Sequence, residues 1–475
     1  MIVRPLTKLS FLIASAATIL CWYLLYKSYS LFTYFKIPYF AMDKIPGHYQ
    51  ASTLHLTTAL IIILSGTYII GYYLLKSVKK ITTSLKLIII FSILAVGIIN
   101  VFIYPVGQSD IFTYIIESKL FFFYHQNPYL TTFQNYFRDP LFYYTGFSNL
   151  PLVYGPAWLL LSAIPFVFVG FKNLLYLLLS YKIFSFFCLI IIAAVIFLYE
   201  DNENSKWKNL YLFALNPFIL FEAVTNGHND IVMTVFLVGA VFLFKKKSWL
   251  ALAFLVLSGL VKYFSFILIP LFILLTFKAK WPQKIILKSA FASFLIGAIL
   301  SSTFFIGAGQ ISNFIYSISA SLNIKTYSIF SLIREYILQS QSNLSSFVPF
   351  LWAFLALLFT LFYFFKSTKK NLVEKPILSM ADLLLLFLIL LTLFQPWYLI
   401  PVISLFILTD NQALIWFVFL ITFADTLFYP LSVWAWFNSG LTLFNIHLFQ
   451  SFFVTMPVIF YFLYSAIKGF FNRPK

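Results

Sequence analysis

Charged residues are scarce in this chain, and acidic residues are the scarcest of them. Only 10% of the 475 residues are charged, and Asp and Glu together number 14. A soluble domain carries about a quarter charged residues, so this composition excludes an ordinary soluble protein. The scarcity also makes each acidic side chain near an apolar segment informative, because a charge at the bilayer centre costs about 2.5–3.5 kcal/mol on insertion scales.

Cysteine is nearly absent as well. The two cysteines, Cys21 and Cys188, lie inside apolar runs and have neither metal-site spacing nor a disulfide framework. We interpret both as packing residues. They give no information about the redox compartment.

Apolar sequence is abundant: 62% of the residues are hydrophobic and 21% are aromatic. Apolar runs of about 18 residues or more recur along the chain, and each is a candidate spanning helix. The sequence therefore predicts an all-α fold, a polytopic transmembrane helical bundle of roughly 11–14 spans. We expect one domain over residues 1–475, with outer loops that carry short amphipathic helices.

The formal net charge of +18 does not indicate a nucleic-acid partner. Lys and Arg cluster between the apolar runs, as the positive-inside rule expects for cytoplasmic loops that face anionic lipid. The expected partner is the bilayer. With the clusters placed inside, a first outer loop is predicted at about 105–151 and a second at about 307–345.

The same side assignments predict two hairpins of short helices, 208–222 with 230–244 and 249–261 with 263–277. Their 13–15 residues fall short of the roughly 20 that a spanning helix needs, so we expect them to line a protein-enclosed cavity. Residues 152–199 contain two apparent spans, although an odd number of crossings is required. A re-entrant segment or an additional short helix would account for the difference.

The first outer loop holds the main catalytic candidates. Asp110, Tyr114 and Glu117 are spaced i, i+4 and i+7, so a helix would place them on one face. Asp110 directly follows the third span, where a carboxylate can accept a proton from a sugar hydroxyl. Lys119 follows on the same amphipathic segment. The alternative is an interfacial helix with ordinary polar side chains.

A second polar group lies in the segment NPFILFEAVTNGHND, residues 216–230. Its proline breaks a helix and its glycine permits a sharp turn. Glu222, His228 and Asp230 then lie between two undersized helices, which favours a site. The alternatives are a packing role for His228 and a helix cap at Asp230.

Two cations are candidates for a phosphate contact. Lys262 lies in the apolar run 249–277, and Arg334 lies in the second outer loop. In water-poor surroundings either can make a strong charge-assisted contact with a phosphate. The alternatives are snorkelling of Lys262 to the membrane interface and an interfacial anchor at Arg334.

The order of these motifs resembles the GT-C superfamily of membrane glycosyltransferases and, more narrowly, bacterial polyprenyl-phosphate-mannose-dependent mannosyltransferases. The resemblance covers about residues 100–400, and the shared order is more specific than any single motif. The matching residues are Ser109-Asp110-Ile111, Tyr114, Glu117, Lys119, Asn127-Pro128-Tyr129, Tyr154-Gly155-Pro156, Asn216-Pro217, Glu222, Gly227-His228-Asn229-Asp230, Lys262, Pro270, Leu322-Asn323, Ser328-Ile329, Leu332-Ile333-Arg334 and Gln395-Pro396-Trp397-Tyr398.

Three positions depart from the family pattern. Glu117 replaces the usual Asp, Tyr154-Gly155-Pro156 replaces Tyr-Pro-Pro, and Gln395 stands where His is common. These departures leave room for a different sugar or acceptor.

The resemblance implies a GT-C-type bundle in a bacterial cytoplasmic membrane, with an extracytoplasmic active site. Asp110 would be the catalytic base, with Glu117 beside it, in an inverting transfer of a hexose such as mannose. The donor would be a polyprenyl-phosphate sugar and the acceptor a glycan or lipid. The implied substrate-binding residues are Tyr114, Lys119, Asn127, Tyr154, Glu222, His228, Asp230, Lys262, Asn323, Arg334, Trp397 and Tyr398.

A metal or other cofactor is not required by the sequence. The first outer loop contains no D-x-D, and cations alone can bind a monophosphate.

Two alternatives to an enzyme remain open. A transporter or flippase of lipid-linked sugars would be expected to show repeat symmetry, which this chain lacks, and charges near the midplane. A non-catalytic polysaccharide assembly subunit is the other.

Overall fold

The structure is a computed structural model, and it describes residues 5–38, 41, 44–45, 47, 50–305, 312, 315, 328, 331–332, 348–371, 375–391, 393–409, 411–437 and 440–471. Within these ranges the chain is helical and forms no β-strand. A single bridge joins Ser30 to Ile103. The predicted all-α fold is confirmed.

The helices follow one another along the whole described chain, with short connections between most of them. Two are preceded by single 3₁₀ segments, Tyr263–Leu268 before α12 and Pro396–Leu399 before α16. Besides one short helical turn at Leu31–Tyr34 and two further 3₁₀ segments at Phe133–Tyr136 and Pro140–Tyr144, the helices are α1 Pro5–Ser28, α2 Ala51–Ser77, α3 Thr83–Val101, α4 Asp110–Phe122, α5 Pro156–Leu161, α6 Ala163–Val167, α7 Leu174–Tyr199, α8 Glu203–Ala214, α9 Pro217–Thr225, α10 Asp230–Lys245, α11 Ala251–Val261, α12 Ile269–Lys278, α13 Gln283–Phe305, α14 Val348–Asn371, α15 Pro376–Leu390, α16 Ile400–Ile407, α17 Gln412–Phe437 and α18 Leu443–Phe471.

Among the described residues, seven helices are long and apolar enough to cross a membrane, or up to eight if the bent pair α9–α10 counts as one span. The seven are α1, α2, α3, α7, α13, α17 and α18. Large apolar side chains cover their outer faces, for example Phe91 at 66% and Phe294 at 73% exposed. Such faces are suited to lipid, and the chain is an integral multi-pass membrane protein, as predicted.

The buried centre of the bundle forms around α10. This helix packs against α7, α11 and α16, while α1 packs on α2 and α3, and α17 packs on α2 and α18. The buried side chain of Asn216 in this centre is hydrogen-bonded. Its amide donates to Thr422 Oγ1 at 2.7 Å, which avoids the cost of burying an unpaired polar group.

The helix break before α10 has local causes in the sequence. Asn216 Oδ1 accepts from the backbone N–H of Phe218 (3.0 Å) and of Ile219 (3.2 Å), and Pro217 occupies the first helical position, where its missing N–H costs nothing. Helix α9 then becomes π-helical over Leu220–Thr225, a local feature frequent at functional sites. The axis of α10 is bent by 119° from that of α9. The two helices therefore form a short hairpin near the one predicted for 208–222 with 230–244, and its first helix is α9.

The second predicted hairpin is also present as α11 and the 3₁₀ segment that continues into α12. Lys262 lies at its turn in an extended backbone conformation, with φ −147° and ψ 117°.

The odd number of crossings required over residues 152–199 has a simple basis. Only α7 is long enough to cross, and the other apparent span is the short helical stretch Pro156–Val167. One long helix is an odd number, so the difference arises because one apparent span is too short to cross and not because a further helix is present in this region.

Candidate active site

Helix α4 places two of the predicted acidic residues along one cavity. Asp110 is its first residue, and Glu117 lies two turns further on. Both line a cavity of about 360 Å³, together with Thr113 between them. The predicted common face is confirmed for Asp110 and Glu117. The lining residues are Gln108, Asp110, Thr113, Glu117, Phe147, Leu150, Pro151, Val153, Tyr154, Lys262, Tyr263, Phe264, Ala353, Phe387, Leu391, Leu393, Gln395, Trp397 and Tyr398.

Tyr114 lies behind this face and does not line the cavity. Its ring meets Tyr154 and Trp158 edge-on, with centroid distances of 5.3 Å and 4.9 Å. Its hydroxyl donates to Asn229 Oδ1 at 3.3 Å. Tyr114 therefore supports two parts of the site, the Tyr154 segment and the loop between α9 and α10.

The α9–α10 loop is docked on the start of α4. Gly227 has a φ of +75°, and a Cβ there would lie 2.7 Å from Ile111 Cδ1, so both the backbone and the close approach require glycine. Asn226 Oδ1 accepts from the Gly107 N–H at 3.1 Å, and its amide donates to Glu222 Oε2 at 2.9 Å. These contacts fix the loop relative to Asp110.

His228, in this loop, lies between two carboxylates. Its Nδ1 is 3.4 Å from Asp110 Oδ2, and its Nε2 is 3.1 Å from Glu222 Oε2. Both are ion-pair distances without full hydrogen-bond geometry. The imidazole is fully buried and stacks on Trp397, with ring centroids 3.9 Å apart and an interplanar angle of 10°. Trp397 thus positions the imidazole, which lies within ion-pair distance of the Asp110 carboxylate.

Lys262 brings a positive charge to the same cavity. Its Nζ lies 2.7 Å from Asp230 Oδ2 and 4.3 Å from the centroid of the Tyr398 ring. Asp230 is the first residue of α10 and is fully buried. It pairs with Lys262 and makes no side-chain cap. The cavity therefore contains a carboxylate from α4 and an ammonium from the α11–α12 turn.

Burial and then the nearby Asp110 charge raise the pKa of Glu117 well above its ordinary value. Its Oε2 has no hydrogen-bond partner among the described residues. The two carboxyl groups of α4 thus differ in environment, since Asp110 contacts His228 and Glu117 contacts no cation in the described part of the chain.

Two predicted substrate-binding residues lie away from the cavity. Lys119 pairs with Asp139 Oδ2 at 2.6 Å, and the Tyr124 hydroxyl donates to the same oxygen at 2.6 Å. Burial alone would raise the pKa of Asp139, but hydrogen bonds from Lys119, Tyr124 and a backbone N–H outweigh it, so the pKa is lowered. The structure places Lys119 in this cluster on the far side of α4.

The other, Asn127, donates to the Phe304 carbonyl at 3.1 Å and accepts from the Tyr129 N–H at 3.0 Å. Tyr129 in turn donates to the Tyr154 carbonyl at 2.7 Å. Asn127 therefore lies in the support of the Tyr154 segment and outside the cavity. The remaining predicted residues, Asn323 and Arg334, lie outside the residues that the structure describes.

Sequence reasoning missed several residues that the structure brings to the site. Thr113 and Gln108 line the cavity, and Thr113 was detectable as the i+3 neighbour of Asp110 on the same face. Lys182 of α7 is fully buried and donates to the Thr225 carbonyl at the end of α9. Asp425 is buried within α17. An ionisable residue inside a spanning helix is the signal that would have found both.

The described residues contain no group of three His, Cys, Asp or Glu side chains arranged to hold a metal ion. Fold and site together define a polytopic membrane protein in which a carboxylate and an ammonium line one cavity. A family model described as alpha-(1->6)-mannopyranosyltransferase, N-terminal domain, matches residues 40–278, just over half of the chain. The chain belongs to this family and is a glycosyltransferase of the mannosyltransferase type, as its motifs predicted.

The matched region contains α4, the α9–α10 loop and Lys262, whereas Trp397 and Tyr398 lie beyond it. A search of curated proteins and a search of solved structures give no significant match.

Proposed function

We propose that this enzyme transfers mannose from a polyprenyl-phosphate donor to an extracytoplasmic glycan or lipid acceptor, in one inverting displacement. One observation carries the proposal: Asp110 and Lys262 line the same cavity of about 360 Å³. A base and a phosphate-binding cation on one small cavity are the two groups that such a transfer requires.

Lys262 is the donor-phosphate ligand in this proposal. Its ammonium has three donors, and the Asp230 contact at 2.7 Å uses one of them. The phosphate that leaves gains negative charge, which a fixed cation in water-poor surroundings stabilises. Beside Lys262 the cavity has an apolar wall that suits the first units of a polyprenyl chain; it consists of Phe264, Phe387, Leu391 and Leu393.

Asp110 is the general base. The acceptor hydroxyl gives its proton to the Asp110 carboxylate, its oxygen forms a bond to C1 of the mannosyl group, and the bond from C1 to the phosphate oxygen breaks. Polyprenyl phosphate leaves with the electron pair. His228, at 3.4 Å, holds the carboxylate in position throughout. General-base assistance of this kind contributes about 10²–10⁴-fold in rate.

The family description supports an α-(1→6) linkage in the product. A mannosyltransferase that forms an α-(1→6) bond attaches the sugar to a primary 6-hydroxyl. A single displacement inverts the anomeric centre, so an α product requires a β-linked donor. Under the positive-inside rule, the lysine clusters between the helices support a cytoplasmic location for the helix ends that carry them. The cavity then lies toward the outer side.

The test uses purified protein with two synthetic short-chain polyprenyl-phosphate mannoses, β-linked and α-linked, and methyl α-mannoside as acceptor. The proposal predicts a disaccharide and one polyprenyl phosphate per transfer from the β donor alone. Consumption of the α donor would contradict the inverting step. Movement of the intact donor across proteoliposomes without any disaccharide would contradict the transfer and support a flippase.

A further inference from the structure

A second cavity of about 170 Å³ adjoins the first one. The two cavities share Gln108 and Trp397, so they meet where the Asp110–His228–Glu222 row lies. Six residues of α17 line the second cavity, and α18 contributes Gln450. Its lining residues are Val106, Gly107, Gln108, Phe221, Glu222, Trp397, Phe428, Tyr429, Ser432, Val433, Trp436, Phe437 and Gln450.

Two polar side chains of this wall have no partner among the described residues. Gln450 is 1% exposed, and neither its amide nitrogen nor its amide oxygen is hydrogen-bonded. The hydroxyl of Ser432 is likewise unpartnered. Leaving such groups buried and unpaired is costly, and native proteins usually satisfy them with water, an ion or a ligand. Both polar groups line the cavity, which indicates that a polar ligand enters it.

The wall has the composition of a sugar site. Aromatic rings such as Trp436 and Phe428 can stack on the apolar face of a pyranose, and Gln450, Ser432 and Glu222 can hydrogen-bond its hydroxyls. The volume is below the roughly 300–1,000 Å³ of typical ligand pockets, so it suits one monosaccharide unit rather than a lipid chain.

We propose that this second cavity is the acceptor subsite, which holds the sugar unit that presents the attacking hydroxyl. This inference rests on the proposed transfer, with the donor in the first cavity. Glu222 lines the second cavity, Asp110 lines the first, and His228 contacts both carboxylates. A sugar in the second cavity therefore has its hydroxyl at the boundary near Gln108 and Trp397, within range of the base.

The test compares Gln450→Leu and Ser432→Ala with a matched control, Ser451→Ala. Ser451 is the next residue of α18, is buried and does not line the cavity. With the β-linked donor and methyl α-mannoside, each lining variant is expected to raise the acceptor KM about three- to tenfold, as loss of one or two hydrogen bonds does. The donor KM, the slow donor hydrolysis without acceptor, and the control's kinetics should stay unchanged. An unchanged acceptor KM, or a donor KM that rises in parallel, would overturn the assignment.

A direct measurement separates this inference from the proposed function. If the wild-type protein consumes no donor, the transfer proposal fails, and equilibrium dialysis with radiolabelled methyl α-mannoside still decides the subsite. Binding to wild type and Ser451→Ala, weakened at least threefold in Ser432→Ala and Gln450→Leu, supports it. Absence of wild-type binding, or equal binding by all four proteins, overturns it. Ser432→Ala removes only one oxygen atom, so it remains a usable test variant if Gln450→Leu fails to fold.

Discussion

The ammonium of Lys262 lies 2.7 Å from the carboxylate of Asp230, and both side chains are buried. Removing one partner of such a buried pair leaves an uncompensated charge and costs about 3–5 kcal/mol, whereas replacing both by neutral groups is often harmless. Stability and substrate binding can therefore be separated at this pair.

Lys262→Met alone is expected to lower the stability of the protein by about 3–5 kcal/mol, because Asp230 loses its counter-charge. The double variant Lys262→Met/Asp230→Asn should recover most of that loss. Both should bind the donor poorly, since the proposed phosphate ligand is absent from each. Melting in detergent and the donor KM are the measurements.

A double variant with a wild-type donor KM would show that Lys262 has only a structural role. The exposed pair Lys86–Glu203, 2.5 Å apart, provides the control. Its removal should change stability little, as is usual for surface ion pairs.

Glu117→Gln is expected to make stability less dependent on pH. Burial and the Asp110 charge raise the pKa of Glu117, so the folded protein holds this proton more tightly than the unfolded chain. The resulting stability is fully present below the unfolded-state pKa, about 4.3. It is lost as the pH rises through the folded-state pKa. The amide cannot ionise and avoids this loss.

The apparent melting temperature in detergent, followed from about pH 5 to about pH 8, gives the comparison. Wild type should lose more stability than Glu117→Gln over this interval. Glu200→Gln, in the loop between α7 and α8, is the control and should follow wild type. Identical profiles for wild type and Glu117→Gln would contradict the buried environment of Glu117.

Gly155→Ala is expected to destabilise the protein, and Gly155→Pro more strongly still. A Cβ at this position would overlap the carbonyl oxygen of Leu260. The Gly155 N–H also donates to the Val261 carbonyl at 3.1 Å, a bond that proline cannot make. The departure from Tyr-Pro-Pro thus has a packing reason beside Lys262. Wild-type melting of either variant would refute that packing.

Lys119→Met separates the cluster on the far side of α4 from the cavity. Loss of the 2.6 Å pair with buried Asp139 should lower stability at neutral pH. Hydrogen bonds from Lys119 and Tyr124 overcome burial and lower the pKa of Asp139. Their stabilisation is therefore present above the unfolded-state pKa of about 3.9 and is lost as the pH falls through the folded-state pKa. Unchanged donor and acceptor KM values are expected. A raised donor KM would return Lys119 to the binding site.

The sequence was sufficient for features with a local cause. Apolar runs predicted the long helices, and Asn216-Pro217 with Gly227 predicted the break where His228 lies. The i, i+7 spacing placed Asp110 and Glu117 on one face. Pairings across the bundle have no local signal, so the contacts of His228 with Trp397 and of Lys262 with Asp230 were not foreseen.

Helical periodicity also explains why Lys119 lies away from the cavity. Lys119 is nine residues beyond Asp110, which turns it by about 180° on an ideal helix, to the opposite side. The order of motifs along the chain contains no information about this rotation.

The second cavity could not be predicted from the sequence, because Ser432 and Gln450 lie on two different spanning helices. Single polar residues of this kind are common in such helices.

The transfer rate of Asp110→Asn with the β-linked donor tests whether Asp110 removes the proton from the acceptor hydroxyl. A loss of about 10²–10⁴-fold in kcat is expected, with an intact fold and a nearly unchanged donor KM. Asp201→Asn, which removes an exposed carboxylate paired with Lys245, should retain wild-type turnover. An Asp110→Asn protein that turns over at the wild-type rate would show that Asp110 is not the base.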